Sequence, residues 1–362
     1  SSPATPRAWR PGRGRRTARR AAEVAMLLRF PHASLDTAAI VLSWFVLNIM
    51  MSNSTKWIFE YGRLCSAEGA CETYKYPLAI TVIHMLFSWC VCFVHLNYVR
   101  GTKYASLGFK DQLQSIAPLA ACFALSVAMG NLSLKYIYPS FNQMLGATSP
   151  LITVIMAVTF QRKRYNNWTW ISMPIICGSI VICSSKEVNF DMLGATFAFG
   201  ATILRAAKSI IQGKLLTEKL DSVSLLFYMA PWAALVLGFM SVCSEGLSPL
   251  LSLTNADSGA PYVVGLLVVS GLNACFLNVA NFLVTSHTSP VTLQVLGNVK
   301  ICLSIAISVA IFGNPLSGYQ AAGMFLCLFG LWLYNSYGAT VKWEPKRRDT
   351  EEMADMSKNA SP

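Results

Sequence analysis

Charge is scarce in this sequence, and negative charge is scarcest. Charged residues make up 13% of the 362 residues against 54% hydrophobic, with 17 acids against 29 lysines and arginines. Those values exclude an ordinary soluble domain and fit a polytopic membrane protein. Histidines number four, and the eleven cysteines stand mostly alone inside apolar runs, with no CxxC pair and no Cys/His cluster at metal spacing. No metal or other cofactor is therefore expected. An Asp-rich motif or His cluster near a membrane face is also missing, which speaks against a membrane-embedded glycosyl- or phosphotransferase, so the chain is not expected to be an enzyme. The net charge of +12 is concentrated in an arginine-rich N-terminus and short loops. It is the bias of cytosolic loops and not a nucleic-acid surface.

The apolar sequence divides into about ten segments, near 36–59, 76–98, 113–134, 139–160, 167–185, 190–213, 222–244, 260–284, 288–312 and 316–338. Each is of membrane-spanning length. Basic residues in the connections alternate in density. Arg100, Lys103 and Lys110, then Arg162, Lys163 and Arg164, then Lys214 and Lys219, then Lys342, Lys346, Arg347 and Arg348 fall on one side of a ten-span arrangement. The other side has Arg63, Lys75, Lys135 and Lys186. The positive-inside rule then places both termini in the cytosol. Cys65 and Cys71 share a loop on the opposite side, where a disulfide or two free thiols are equally allowed.

Residues 1–35, with eight arginines up to position 34, form a basic tail that is expected to be disordered. A transit peptide, or a segment foreign to the mature protein, are the other readings, since the first methionine is Met26. Residues 339–362 form a second, cytosolic tail.

The fourth and ninth segments share a pattern. Pro139-Ser-Phe-Asn-Gln143-Met-Leu145-Gly146 matches Pro290-Val-Thr-Leu-Gln294-Val-Leu296-Gly297 at constant offset. The expected fold is all-α, with ten transmembrane helices in two inverted five-helix repeats, 36–185 and 190–338. Inverted repeats are a signature of secondary transporters that bind substrate at mid-membrane.

Lys300 lies near the middle of the ninth segment with no acid in the run. A charge there costs at least about 2.5–3.5 kcal/mol on insertion scales. Its repeat counterpart is Ser149, so the charge belongs to one half alone. Arg205 and Lys208 share a face of the sixth segment, and Lys56 lies near the end of the first. Acids are confined to segment ends (Asp36, Glu60, Asp191 and Glu245), which disfavours cation carriage and carboxylate proton relays. The expected substrate is therefore an anion, with phosphate the natural group for lysine and arginine to hold. Gln143, Tyr228 and Asn298 are candidates to complete the pocket, with Asn273, Asn278 and Asn281 as further amides. His84 and His95 in the second segment are read as hydrogen-bonded helix residues and not as a relay.

These residues resemble the drug/metabolite transporter superfamily, in its triose-phosphate and nucleotide-sugar translocator branch. The resemblance spans nearly all of 36–338. It rests on Ser-Thr-Lys56-Trp, on Leu-Arg205-Ala-Ala-Lys208-Ser, and on Thr-Leu-Gln-Val-Leu-Gly-Asn-Val-Lys300 followed by Asn314-Pro315-Leu316. Triose-phosphate translocators have Lys-Arg at the ninth-span position, whereas here Ile301 follows Lys300. Phe227-Tyr228-Met229-Ala230 keeps the aromatics of GDP-mannose carriers but not their amides. The resemblance implies an antiporter that exchanges a nucleotide sugar for nucleoside monophosphate in a Golgi or endoplasmic-reticulum membrane. A plastid-type sugar-phosphate/phosphate exchanger is the alternative. Expected partners are a phosphorylated-sugar anion and membrane lipid, with a homodimer left open and no nucleic acid.

Overall fold

The computed structural model describes residues 30–65, 71–99, 107–184, 191–218, 220–254, 256, 258–312, 318–338 and 341–343. Most of the N-terminal tail, the Asn314-Pro315-Leu316 signature and most of the C-terminal tail lie outside the described residues. The chain is predominantly helical. Helices α1 (Phe30–Tyr61), α2 (Pro77–Val94) and α3 (Ala117–Ser133) are followed by a pair, α4 (Pro139–Gly146) and α5 (Ser149–Gln161). Then come α6 (Asn167–Ser184), α7 (Met192–Glu218), α8 (Ser222–Glu245) and the short α9 (Ser248–Thr254). The last three are α10 (Ala260–His287), α11 (Pro290–Phe312) and α12 (Gly318–Leu333). Every apolar segment of the sequence falls on a helix, the fourth on the broken pair α4–α5.

Among the described residues, six helices are long and apolar enough to cross a membrane: Asp36–Tyr61, Pro77–Val99, Phe109–Ser133, Phe141–Gln161, Ser222–Glu245 and Ala260–His287. Asn167–Ile182, Pro290–Leu303 and Ala321–Leu333 are apolar but shorter. Helix α7 carries Arg205, Lys208 and Lys214 and is less apolar than these. Exposed Leu42, Phe239, Phe325 and Trp332 lie on the outer surfaces of the bundle, as expected of side chains that meet lipid.

Prolines set several helix starts. Pro77, Pro139, Pro150 and Pro261 stand in first turns, where the missing N–H costs nothing. Asp221 caps α8 by accepting from the Ser224 backbone N–H at 3.4 Å, and its other carboxylate oxygen accepts from the Ser224 hydroxyl at 2.7 Å. Glu245, at the end of α8, accepts from the backbone N–H groups of Leu78 and Ala79 at 2.8 and 2.9 Å. It satisfies two orphan donors of α2 with the charge that a helix N-terminus favours.

The helices pack in a regular scheme. Helix α2 lies along α8, α6 along α12, α3 along α7, and α1 along α10. One large buried cluster joins α2, α3 and α8 through Met85, Leu119, Leu225 and Met229. Two small antiparallel strand pairs, one of them a hairpin, mark opposite ends of the bundle. Strands β1 (Arg63–Cys65) and β2 (Cys71–Thr73) pair antiparallel with Cys65 opposite Cys71, and these two form a disulfide. Gly259 lies against this hairpin. A Cβ there would sit 2.2 Å from the Arg63 carbonyl oxygen, and its φ of +90° favours glycine as well. Strand β3 (Lys163–Tyr165) pairs with β4 (Val341–Trp343) at the other end. We call the two ends the hairpin face and the tail face.

Candidate functional site

The polar core of the bundle is built around the gap between α4 and α5. Helix α4 ends at Gly146, and the Ala147 carbonyl at the break accepts from the Asn298 side-chain amide of α11 at 2.9 Å. Two residues on, Ser149 donates to the Gln294 side-chain oxygen at 2.8 Å. The Gln294 amide in turn donates to the hydroxyl of Ser209 on α7. Helices α5, α7 and α11 are thus joined by one buried chain of side chains. Buried groups of this kind rigidify a membrane bundle where apolar packing alone discriminates little between registers.

The cations lie next to this chain. Arg205 and Lys208 precede Ser209 on α7, and Lys300 follows Asn298 on α11. The Lys300 amine donates to the Asn48 side-chain oxygen of α1 at 3.2 Å. The Lys208 amine lies 4.7 Å above the ring centre of Phe123 on α3, in cation–π range. The Arg205 guanidinium packs against the end of α4, where a Cβ added to Gly146 would stand 3.4 Å from Nη1. Arg205 is exposed, and Lys208 and Lys300 are part-exposed. Among the described residues, no carboxylate forms an ion pair with any of the three.

Lysine has three N–H donors and arginine five. Asn48 takes one from Lys300, so most of this donor capacity remains for an anion. The arrangement can hold a dianionic phosphate. It offers no nucleophile, no acid–base pair and no metal cluster among the described residues.

The other sequence candidates lie elsewhere or have other partners. Lys56 is exposed and pairs at 3.6 Å with Glu60, one turn along α1, a surface pair worth little. Gln143 is exposed on α4, toward the hairpin face from the break. Asn298 uses its amide on Ala147. Tyr228 is buried, and its hydroxyl accepts from the Leu107 N–H in the connection between α2 and α3 at 3.2 Å. His84 bonds Ser270 at 3.0 Å, a structural histidine as expected. Asn281 accepts from the Trp44 indole, and Asn273 donates to the Leu47 carbonyl at 3.3 Å. Both amides join α10 to α1. Asn48, Phe123 and Ser209 were not marked by the sequence, whereas the repeat pointed to Gln294, as the match of Gln143, and to Ser149, as the counterpart of Lys300.

The fold and this site define a multi-pass membrane transporter. Residues 35–335 match the model of the Triose-phosphate Transporter family, and the chain belongs to that family, within the drug/metabolite transporter superfamily. It is similar to a probable sugar phosphate/phosphate translocator of Arabidopsis thaliana, 35% identical over 83% of this chain and 81% of the relative. UDP-uronic acid transporter 1 of Arabidopsis thaliana is 33% identical over 83% and 95%. UDP-galactose transporter 1 of the same plant is 30% identical over 81% and 84%. The protein is a transporter and not an enzyme.

Proposed function

We propose that the chain is an antiporter that exchanges a nucleotide sugar for nucleoside monophosphate. What carries this is the placement of Arg205, Lys208 and Lys300 beside the α4–α5 break, read as the lining of a cavity, with no carboxylate paired to them among the described residues. Such a site favours a multiply charged phosphate. An empty carrier with three uncompensated cations is also slow to reorient, because a desolvated charge is costly in a membrane. A bound anion on each leg removes that cost, which gives exchange in preference to leak. Ile301 stands where a triose-phosphate carrier has arginine, and this favours the larger nucleotide sugar. The relative named a sugar phosphate/phosphate translocator favours the second reading, exchange of a sugar phosphate for inorganic phosphate.

The architecture we propose is ten spans in two inverted halves. Support comes from packing. The pair α3–α7 has its counterpart in α1–α10, while α2–α8 and α6–α12 each pair with their own counterpart. Asn298 and Ala147 are bonded partners separated by 151 positions, the same offset that relates Gln143 to Gln294, as expected at a pseudo-twofold axis. The Cys65–Cys71 disulfide fits an oxidising lumen, so the hairpin face is assigned to the lumen and both termini to the cytosol. This assignment and the UDP-sugar relatives support a Golgi or endoplasmic-reticulum membrane.

The test is uptake of labelled UDP-galactose, UDP-glucuronate and glucose 6-phosphate into liposomes containing the purified protein. The vesicles are preloaded with UMP, with inorganic phosphate, or with nothing. UDP-sugar uptake that requires UMP inside is the expected result. Equal uptake into empty vesicles refutes antiport, and uptake of the sugar phosphate alone, driven by phosphate, selects the second reading.

A further inference from the structure

The two halves match in sequence but not in conformation. On the tail face, Gly213 of α7 is pressed against Pro290 at the start of α11. A Cβ added to Gly213 would lie 2.4 Å from the proline ring. Next along the same path, Ser149, Gln294 and Ser209 are hydrogen bonded across α5, α11 and α7. Gln161 of α5 adds a bond to the Ile210 carbonyl at 3.2 Å. Gln212 bonds Thr285 of α10 at 2.6 Å. This side of the cavity is shut.

The offset of 151 seen in the Asn298–Ala147 bond maps each of the two central contacts onto the hairpin face. Gly213 and Pro290 map to Gly62 and Pro139. Ser149 and Gln294 map to Lys300 and Gln143. Neither mapped contact is made. The nearest atoms to a Cβ at Gly62 belong to its own turn at Ile58, not to Pro139. Gln143 is exposed, and Lys300 bonds Asn48. Helix α7 lies along α4 and α5. The two contacts that shut the tail face thus have no equivalent between α1 and α4 among the described residues, which leaves the hairpin face open there.

We propose that the hairpin-face gate is closed by Gln143 bonding the Lys300 amine while Gly62 seats against Pro139. The Ser149–Gln294 and Gly213–Pro290 contacts part in the same step. The unequal pair, serine in one half and lysine in the other, gives the gate its chemistry. The tail-face gate closes on a neutral hydroxyl. The hairpin-face gate closes on a residue that also holds the anion, so occupancy and closure are coupled at one amine. Gln143 is thus a positioning residue for Lys300, and its role rests on the antiport reading above.

Two measurements test this. In exchange assays, Gln143→Leu should lower turnover about ten- to a hundredfold, the range for losing a hydrogen bond to a charged group. The half-saturation constant at the hairpin face should stay within about threefold, because Lys300 still meets the anion from the open side. Gln143→Asn should restore part of the turnover. In native membranes, Gln143→Cys paired with Lys300→Cys should be bridged by a short bifunctional thiol reagent, and so should Ser149→Cys paired with Gln294→Cys. The gate is refuted if only the second pair is bridged, or if Gln143→Leu exchanges at the unmodified rate or loses affinity in step with turnover. Lys300→Ala with full turnover refutes the gate, whereas Lys300→Ala with lowered turnover and an unchanged half-saturation constant removes the anion site and leaves the gate standing.

Discussion

Replacing Lys300 with alanine tests the anion site most directly. The amine donates one hydrogen bond to Asn48, and two N–H groups remain for a phosphate oxygen. Truncating one partner of a close charge pair costs about 2–5 kcal/mol at a buried site. The lower part of that range applies here, because the lysine is part-exposed to the cavity. Repulsion from Arg205 is present with and without substrate, so it largely cancels in the binding difference. A loss of about 2–3 kcal/mol corresponds to a half-saturation constant raised about 30- to 150-fold. The variant should fold, because it removes a cation that no carboxylate balances. Its melting temperature in detergent should match or exceed that of the unmodified protein. The assay is UDP-sugar exchange over a substrate range wide enough to reach saturation, with the melting curve alongside. A half-saturation constant within threefold of the original, in a protein that melts normally, would refute the assignment of Lys300 to the anion.

Other consequences concern the frame. Gly213→Val should lower the melting temperature by several degrees, since overpacking of this kind costs about 1–3 kcal/mol. Differential scanning fluorimetry reads the loss, and an unchanged midpoint would mean that α7 and α11 are not in contact. Glu245→Ala leaves Leu78 and Ala79 without their acceptor and should cost about 1–2 kcal/mol, as for other lost N-caps. Hydrogen exchange should show the first turn of α2 opening, with later turns unaffected. Cys65→Ser should remove a mobility difference between reduced and unreduced protein. It should cost about 2 kcal/mol, the chain-entropy figure for so short a loop, and the double variant with Cys71→Ser should lose no more.

The sequence revealed the scaffold because apolar length is a local property. All ten apolar segments fall on helices, and the cysteines that share a loop form a disulfide. The break at Ala147 was hidden, since neither Gly146 nor Pro150 distinguishes a gap from a kink. The cations were legible because a charge in an apolar run has no cheap alternative. Their partners were not. Asn48 resembles any amide that joins helices, and its contact with Lys300 spans 252 positions. Lys56, at the end of its segment, could be read as a substrate cation or an interfacial lysine, and Glu60 one turn away satisfies it at the surface. Tyr228 lies in an apolar setting that suits stacking on a base, yet its hydroxyl is used by the Leu107 N–H. Pairings between distant helices decide these cases, and no local pattern encodes them.

The pairing of α1 with α10 also bears on how the protein is made. Trp44 finds Asn281, Leu47 finds Asn273, and Asn48 finds Lys300, so the first helix out of the ribosome has its polar partners among the last. Until α10 and α11 are inserted, α1 must wait in lipid or against the insertion machinery with its amide and indole groups unmatched. Chains stopped between residues 245 and 260 should therefore remain bound to that machinery and be prone to degradation, even though α2, α3, α7 and α8 already have one another. Completion of the carrier is a late event in its synthesis, set by the helix that was made first.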